Sequence, residues 1–252
     1  MMGHPADQGP GELRQALGEG FALDFIARVE DNLGIDVVIV SLENPGYSLM
    51  LGGRRVIVLN ASTNWFRSAF TLAHELGHLF DPRADPGNDS NLRSAENAAN
   101  AYAADLLMPI DQIRRRPWSS AADVATTVWR FGVSTQALRN RLSFLGLEVS
   151  SQANEALNMT TPLLLSSHLP TSVAMPDEVT LRGVAWASRR FPAHLLTSLR
   201  LAVEQGKAPQ ASLDWALGVT SEDSVDAEEA DEVSPAPEVL DDLDVELLGD
   251  LG

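Results

Sequence analysis

A chain of 252 residues, 44% of them apolar, is long enough to bury a sizeable core as one large domain or two small ones. It has no cysteine, which excludes a disulfide framework and any thiolate metal site, so a transition metal would have to be held by imidazole and carboxylate. The net charge of −17 is mostly local: residues 221–252 carry 13 of the 35 acidic residues and no Lys or Arg, which leaves 22 acids against 18 bases, or −4, for the rest.

Met1 to Gln8 lacks the basic flank and apolar core of a secretory leader, and the longest strongly apolar run, Ile35 to Val40, has an Asp inside it. A cytoplasmic protein with no membrane span is expected, and residues 1–10 read as a disordered N-terminus. From Gly11 to Leu33, the residues Leu13, Leu17, Phe21, Leu23, Ile26 and Val29 recur at helical spacing, and Gly34 ends the pattern. Ile35 to Ser41 is short and β-branched. Tyr47 to Leu51 and Arg54 to Leu59 flank Gly52-Gly53, which predicts a hairpin and three strands in all. The polar run after Asn60 offers helix caps, so a helix is predicted from Trp65 to Phe80, stopping at Asp81-Pro82.

A polar loop then leads to Ser94, read as the cap of a helix from Ala95 to Leu107, with Pro109 disfavouring helical geometry at Met108. Two short helices, Ala121 to Phe131 and Thr135 to Phe144, are joined by Gly132-Val133-Ser134. The Ser/Thr-rich stretch from Ser150 to Ser172 reads as connecting structure. Pro192 opens a helix that Gly206 closes, and Ser212 to Leu217 is part of another. The acidic residues 221–252 are expected to be disordered, although Leu240, Leu243, Leu247 and Leu251 would line one face of a helix if it formed.

The chemistry sits in Thr71-Leu72-Ala73-His74-Glu75-Leu76-Gly77-His78, which contains HExxH. Residues four apart on a helix lie over each other, so His74 and His78 can present two imidazoles to one ion. Glu75, about 100° around the helix, is offset from the metal and placed to take a proton from a water. The neighbouring residues are nearly all apolar, and two unpartnered imidazoles on a buried helix would be costly. Gly77 costs roughly 1 kcal/mol against Ala inside a helix, which points to another backbone coming close there. Catalytic zinc takes three protein ligands. On the second helix Glu96, Asn100, Ala103 and Leu107 form one stripe, so Glu96 is the expected third ligand and Asn100 its orienting neighbour. Asp105 lies on another face, and Asp81, Asp85 and Asp89 lie in the loop. Tyr102 reads as core. Zinc is the expected ion, although this donor set also accepts manganese, iron or cobalt.

Phe70 to His78, followed by Glu96-x-x-Ala99-Asn100-x-Tyr102-Ala103-Ala104-x-Leu106-Leu107-Met108-Pro109, resembles the ImmA/IrrE family of metallopeptidases. The segment Phe131-Gly132-Val133-Ser134, with Ala137-Leu138 and Arg141-Leu142, is similar to that family's downstream helices, and the likeness spans about Asp36 to Leu147. The resemblance implies zinc at His74, His78 and Glu96, catalysis by Glu75, and a helix-turn-helix repressor as the cleaved substrate, which would release stress-response or mobile-element genes. Tyr102, where Phe is commoner, and the acidic tail depart from the pattern. The fold class expected is α+β: a zincin-like domain with a small antiparallel sheet and an HExxH helix, followed by a helical C-terminal region. It divides into residues 11–148 as the metallopeptidase domain, 149–220 as linker and C-terminal helices, and 221–252 as tail.

A rival reading comes from residues 121–147, whose helix pair has a helix-turn-helix rhythm. From Pro109 to Leu147 six arginines face two aspartates, a local charge of +4, as a DNA-binding transcriptional regulator would need. The overall acidity argues against direct DNA binding, since phosphate contact is chiefly electrostatic.

Overall fold

The computed structural model describes residues 8–219 apart from Gly52, residues 85–91 and Met175. The acidic tail, most of the expected disordered N-terminus, Asp85 and Asp89 therefore lie outside the described residues. The architecture is α+β, and among the described residues no helix is long and apolar enough to cross a membrane.

The first helical pattern is broken into α1 (Pro10–Leu17), a 3-10 turn (Phe21–Leu23) and α2 (Phe25–Leu33). The break falls at Gly18 and Gly20, both at positive φ, where the chain reverses while Leu13, Leu17, Phe21, Phe25 and Val29 stay buried on one side. Three strands follow: β1 (Asp36–Val40), β2 (Gly46–Leu51) and β3 (Arg54–Asn60). The sheet is mixed rather than antiparallel. β2 and β3 form the expected hairpin, Leu51 opposite Arg54, but β1 pairs parallel with β3, giving the order β1-β3-β2. β3 takes the centre because Val56, Ile57, Val58 and Leu59 are apolar on both faces, and all four are buried.

Asn64 caps α3 (Trp65–Phe80) by accepting from the Arg67 amide, and α3 packs on the sheet face that carries Val37, Ile39, Ile57 and Leu59. The opposite face, with Val38, Val40, Val56 and Val58, is covered by Phe191 and Leu195. After a 3-10 turn (Pro82–Ala84) comes α4 (Leu92–Leu107), which starts two residues before Ser94, so Ser94 is inside the helix and not its cap. Its C-terminal carbonyls are satisfied from outside. Arg14 donates to Leu106 (2.6 Å) and Leu107 (3.3 Å), and Arg141 donates to Met108 (3.1 Å).

Beyond α5 (Ile110–Arg114), α6 (Ala121–Phe131) and α7 (Thr135–Phe144) have the expected bounds, with a capping box at Ser120 and Asp123 and a left-handed Gly132 between them. Ser150 to Ser172 is not connecting structure. It holds α8 (Ser151–Leu157) and α9 (Thr161–His168), which bury Ala153, Ala156, Leu157, Leu164 and Leu165 in the main core. Its hydroxyl residues act as helix starts, Ser150 accepting from the Ala153 amide. α10 (Pro176–Ala187), α11 (Ala193–Glu204) and α12 (Gln210–Leu217) complete the described chain, and Arg190 bridges main chain to main chain with Ile39 on the outer edge of β1.

Candidate metal centre

Gly77 explains how two helices come to share a site. A Cβ there would stand 3.0 Å from the Ala99 Cα, 3.2 Å from the Ala99 carbonyl oxygen and 3.2 Å from the Tyr102 Cβ, so α3 and α4 meet with almost no side chain between them. That close approach brings the N-terminal half of α4 beside the HExxH turn of α3. His74 Nε2 and His78 Nε2 lie 3.0 Å apart, and the Glu96 oxygens lie 3.2 Å from His74 Nε2 and 3.4 Å from His78 Nε2. These three residues form the one cluster of metal-ligand type found among the described residues.

The other ring nitrogens say which protons are where. His74 Nδ1 is 3.0 Å from the Asn100 amide oxygen, and His78 Nδ1 is 2.5 Å from the Ala84 carbonyl oxygen. A carbonyl only accepts, so Nδ1 carries the proton on both rings, and in the neutral imidazoles each Nε2 keeps its lone pair. Two lone pairs and a carboxylate then converge on one point, an arrangement that repels itself unless a cation sits at its centre. The spacing suits such an ion: four ligands at 2.0–2.1 Å in a tetrahedron are about 3.3 Å apart, close to the observed 3.0–3.4 Å. The donor set therefore fits zinc.

Glu75 is buried, on the flank of the cluster. Burial pushes its carboxyl above the ordinary range, with His74, His78 and the Ser48 hydroxyl opposing that rise and Glu96 adding to it. Two groups of the site, the Ser48 hydroxyl beside Glu75 and the Ala84 carbonyl beside His78, were not singled out from the sequence. Ala84 acts through its main chain, which leaves no residue-type signal, and Ser48 is an ordinary strand residue until the register is known.

Of the other carboxylates weighed, the two among the described residues are engaged elsewhere. Asp81 is bound by Arg83, and Asp105 by Arg141. Tyr102 is core, as expected, its hydroxyl donating to the Gln8 carbonyl (3.0 Å) and its pKa raised by burial.

Residues 30–143 match the family model of the IrrE N-terminal-like domain, a metallopeptidase family. This segment belongs to that family. It runs from the end of α2 through almost all of α7, and so contains the whole sheet and both helices of the site. No curated protein matches the chain significantly. The IrrE-like domain agrees with the resemblance drawn from the HExxH and Glu96 blocks. It also makes α8 to α12 additions beyond the matched segment, although α8 and α9 share its core.

Proposed function

We propose that this chain is a zinc-dependent endopeptidase in which His74, His78 and Glu96 hold the metal and Glu75 is the general base. The observation that carries the reading is the convergence of two imidazole lone pairs and the Glu96 carboxylate, with a buried carboxylate one residue along the same helix. Bound zinc supplies a Lewis acid that lowers the pKa of a water and polarises the peptide carbonyl. Glu75 takes the proton of the attacking water and returns it to the amine that leaves. Its raised pKa suits both halves of that task, since a carboxylate that is too weak a base would not accept the proton. Asn100 and the Ala84 carbonyl keep the two imidazoles facing inward throughout.

The substrate we propose is a helix-turn-helix transcriptional repressor, cleaved in the cytoplasm to release stress-response or mobile-element genes. An extended peptide can be received at β2. The Asn60 amide donates to the Pro45 carbonyl, and hydrogen-bonded pairs alternate along an antiparallel ladder, so Gly46, Ser48 and Met50 turn their main-chain groups away from β3. Ser48 at the middle of that edge neighbours Glu75. The test is to incubate the purified zinc-loaded chain with candidate repressors and with Glu75→Gln as control. A defined fragment from the wild type alone, with equal zinc in both proteins, is expected. Cleavage that survives in Glu75→Gln overturns the assignment.

A further inference from the structure

We propose that Asp81 is a positioning residue for His78: its carboxylate folds the turn Pro82–Ala84 so that the Ala84 carbonyl fixes the His78 ring in its metal-binding tautomer. The proposal rests on the metal reading of the site given above. Asp81 is a charged side chain only 6% exposed, and burying a carboxylate is costly unless its bonds are made. Among the described residues its bonds go to Arg83, none to the metal cluster. Oδ1 accepts from the Arg83 amide (2.9 Å) and from its Nε (3.0 Å), and Oδ2 accepts from Nε (3.2 Å) and Nη2 (2.7 Å).

The Asp81 main chain holds both ends of the same turn. Its amide donates to the Gly77 carbonyl (2.8 Å), closing α3, and its own carbonyl accepts from the Ala84 amide (2.9 Å). Asp81 itself is extended, with φ −103° and ψ 112°, so the chain leaves the helix axis here, and Pro82 then fixes the next φ. The turn ends on Ala84, fully buried, with its carbonyl oxygen 2.5 Å from His78 Nδ1. The two imidazoles are thus oriented by different devices. His74 relies on a side-chain amide from α4, whereas His78 relies on a main-chain oxygen whose position depends on Asp81. Outer partners of this kind are commonly worth 10–100-fold in metal affinity, so about that loss is expected when the device is removed.

The test uses the full chain stripped of zinc, with zinc affinity measured by competition against a chromophoric chelator. A second readout is the ¹⁵N shifts of the His78 ring in the zinc-free protein. Asp81→Ala is expected to weaken zinc binding by about 10–100-fold and to turn a single Nδ1–H tautomer into a mixture. Asp81→Asn, which keeps an oxygen for the Arg83 amide, is expected to stay within about threefold of the wild type. Should Asp81→Ala fail to fold, Asp81→Glu carries the test, because it keeps the charge but displaces the carboxylate by a methylene, and the same loss is expected. Unchanged affinity in the folded Ala or Glu variant, or lost affinity with an unchanged His78 tautomer, overturns the proposal. Equal zinc affinity in the wild type and His78→Ala would overturn the metal reading itself, a result distinct from failure at Asp81 alone.

Discussion

Gly77 lies directly against Ala99, with only 3.0 Å between the Ala99 Cα and the point where a Gly77 Cβ would be. The neighbouring atoms are backbone and a Cβ stem, which cannot swing aside. Gly77→Ala gains roughly 1 kcal/mol of helix propensity. Overpacking a tight contact costs about 1–3 kcal/mol, so a net destabilisation of up to ~2 kcal/mol is expected by urea unfolding of the zinc-free protein. The helices must also separate, which draws Glu96 away from the two imidazoles. Zinc affinity should therefore fall more than stability does, and an alanine variant with wild-type zinc affinity would show that helix spacing at this point does not set the site.

Asn100 reaches across the same contact to His74, and its role separates from that of the ligands. Asn100→Ala removes the acceptor for the Nδ1 proton, and a loss of about 10–100-fold in zinc affinity is expected with the fold intact. Asn100→Asp keeps an acceptor and adds charge behind the ring, so it should bind zinc at least as well as the wild type. The chelator competition that measures one variant measures the other, and equal losses in both would exclude orientation as the role of this residue.

The parts of this arrangement that were legible in the sequence are those written in one helix at a time. His74, Glu75 and His78 follow from a spacing of four, Glu96 and Asn100 from a stripe on the next helix, and the close approach at Gly77 from a glycine where alanine would serve better. What was not legible depends on the chain meeting itself at a distance. A hairpin signal is local, so β2 and β3 were found, whereas parallel pairing of β1 with β3 leaves no mark at a turn. In Ser150 to Ser172 the hydroxyl residues resemble a linker in composition. Two of them sit where a helix begins, and the leucines and alanines between them face the core.

The lower end of the sheet gives a pH dependence separate from the metal site. Asp36, the first residue of β1, is buried and accepts from Arg54 Nε and Nη2 at 2.8 Å each, with His194 Nε2 at 3.2 Å. The Arg54 hydrogen bonds hold its carboxyl below the ordinary range against the opposing effect of burial, with His194 assisting. A group whose folded pKa is depressed stabilises the fold fully above its unfolded value, about 4, and loses that contribution as pH falls through the folded value. The stability gap between wild type and Asp36→Asn should thus narrow as pH falls below about 4. Denaturant unfolding across that range measures it. A gap that widens below about pH 4 would mean that Asp36 is not held ionised by these partners.

Arg139 and Arg141 look equivalent in the sequence, two turn-mates on the second helix of a helix-turn-helix rhythm, but the structure gives them opposite circumstances. Arg141 is buried, donating to the Met108 carbonyl and to Asp105, and so ties α7 to the end of α4. Arg139 is partly exposed and, among the described residues, bonded only to the side chains of Gln136 and Asn158. A guanidinium enclosed as Arg141 is cannot reach a phosphate without leaving its partners, which removes one charge from the basic surface that a DNA-reading helix would need. Removing it leaves the Met108 carbonyl and the half-exposed Asp105 without their donor. A destabilisation of roughly 2–3 kcal/mol is expected for Arg141→Ala, below the full cost of breaking a wholly buried pair because Asp105 keeps contact with water. Arg139→Ala should cost less, about 0.5–1 kcal/mol, since its partners Gln136 and Asn158 are themselves exposed and take up water. Chemical unfolding of the two variants, with duplex binding measured at two salt concentrations, separates fold from DNA contact. Salt-sensitive duplex binding that drops in Arg139→Ala while the fold holds would restore the regulator reading, whereas a larger stability loss in Arg141→Ala, with no duplex binding to lose, makes this helix pair part of the peptidase scaffold.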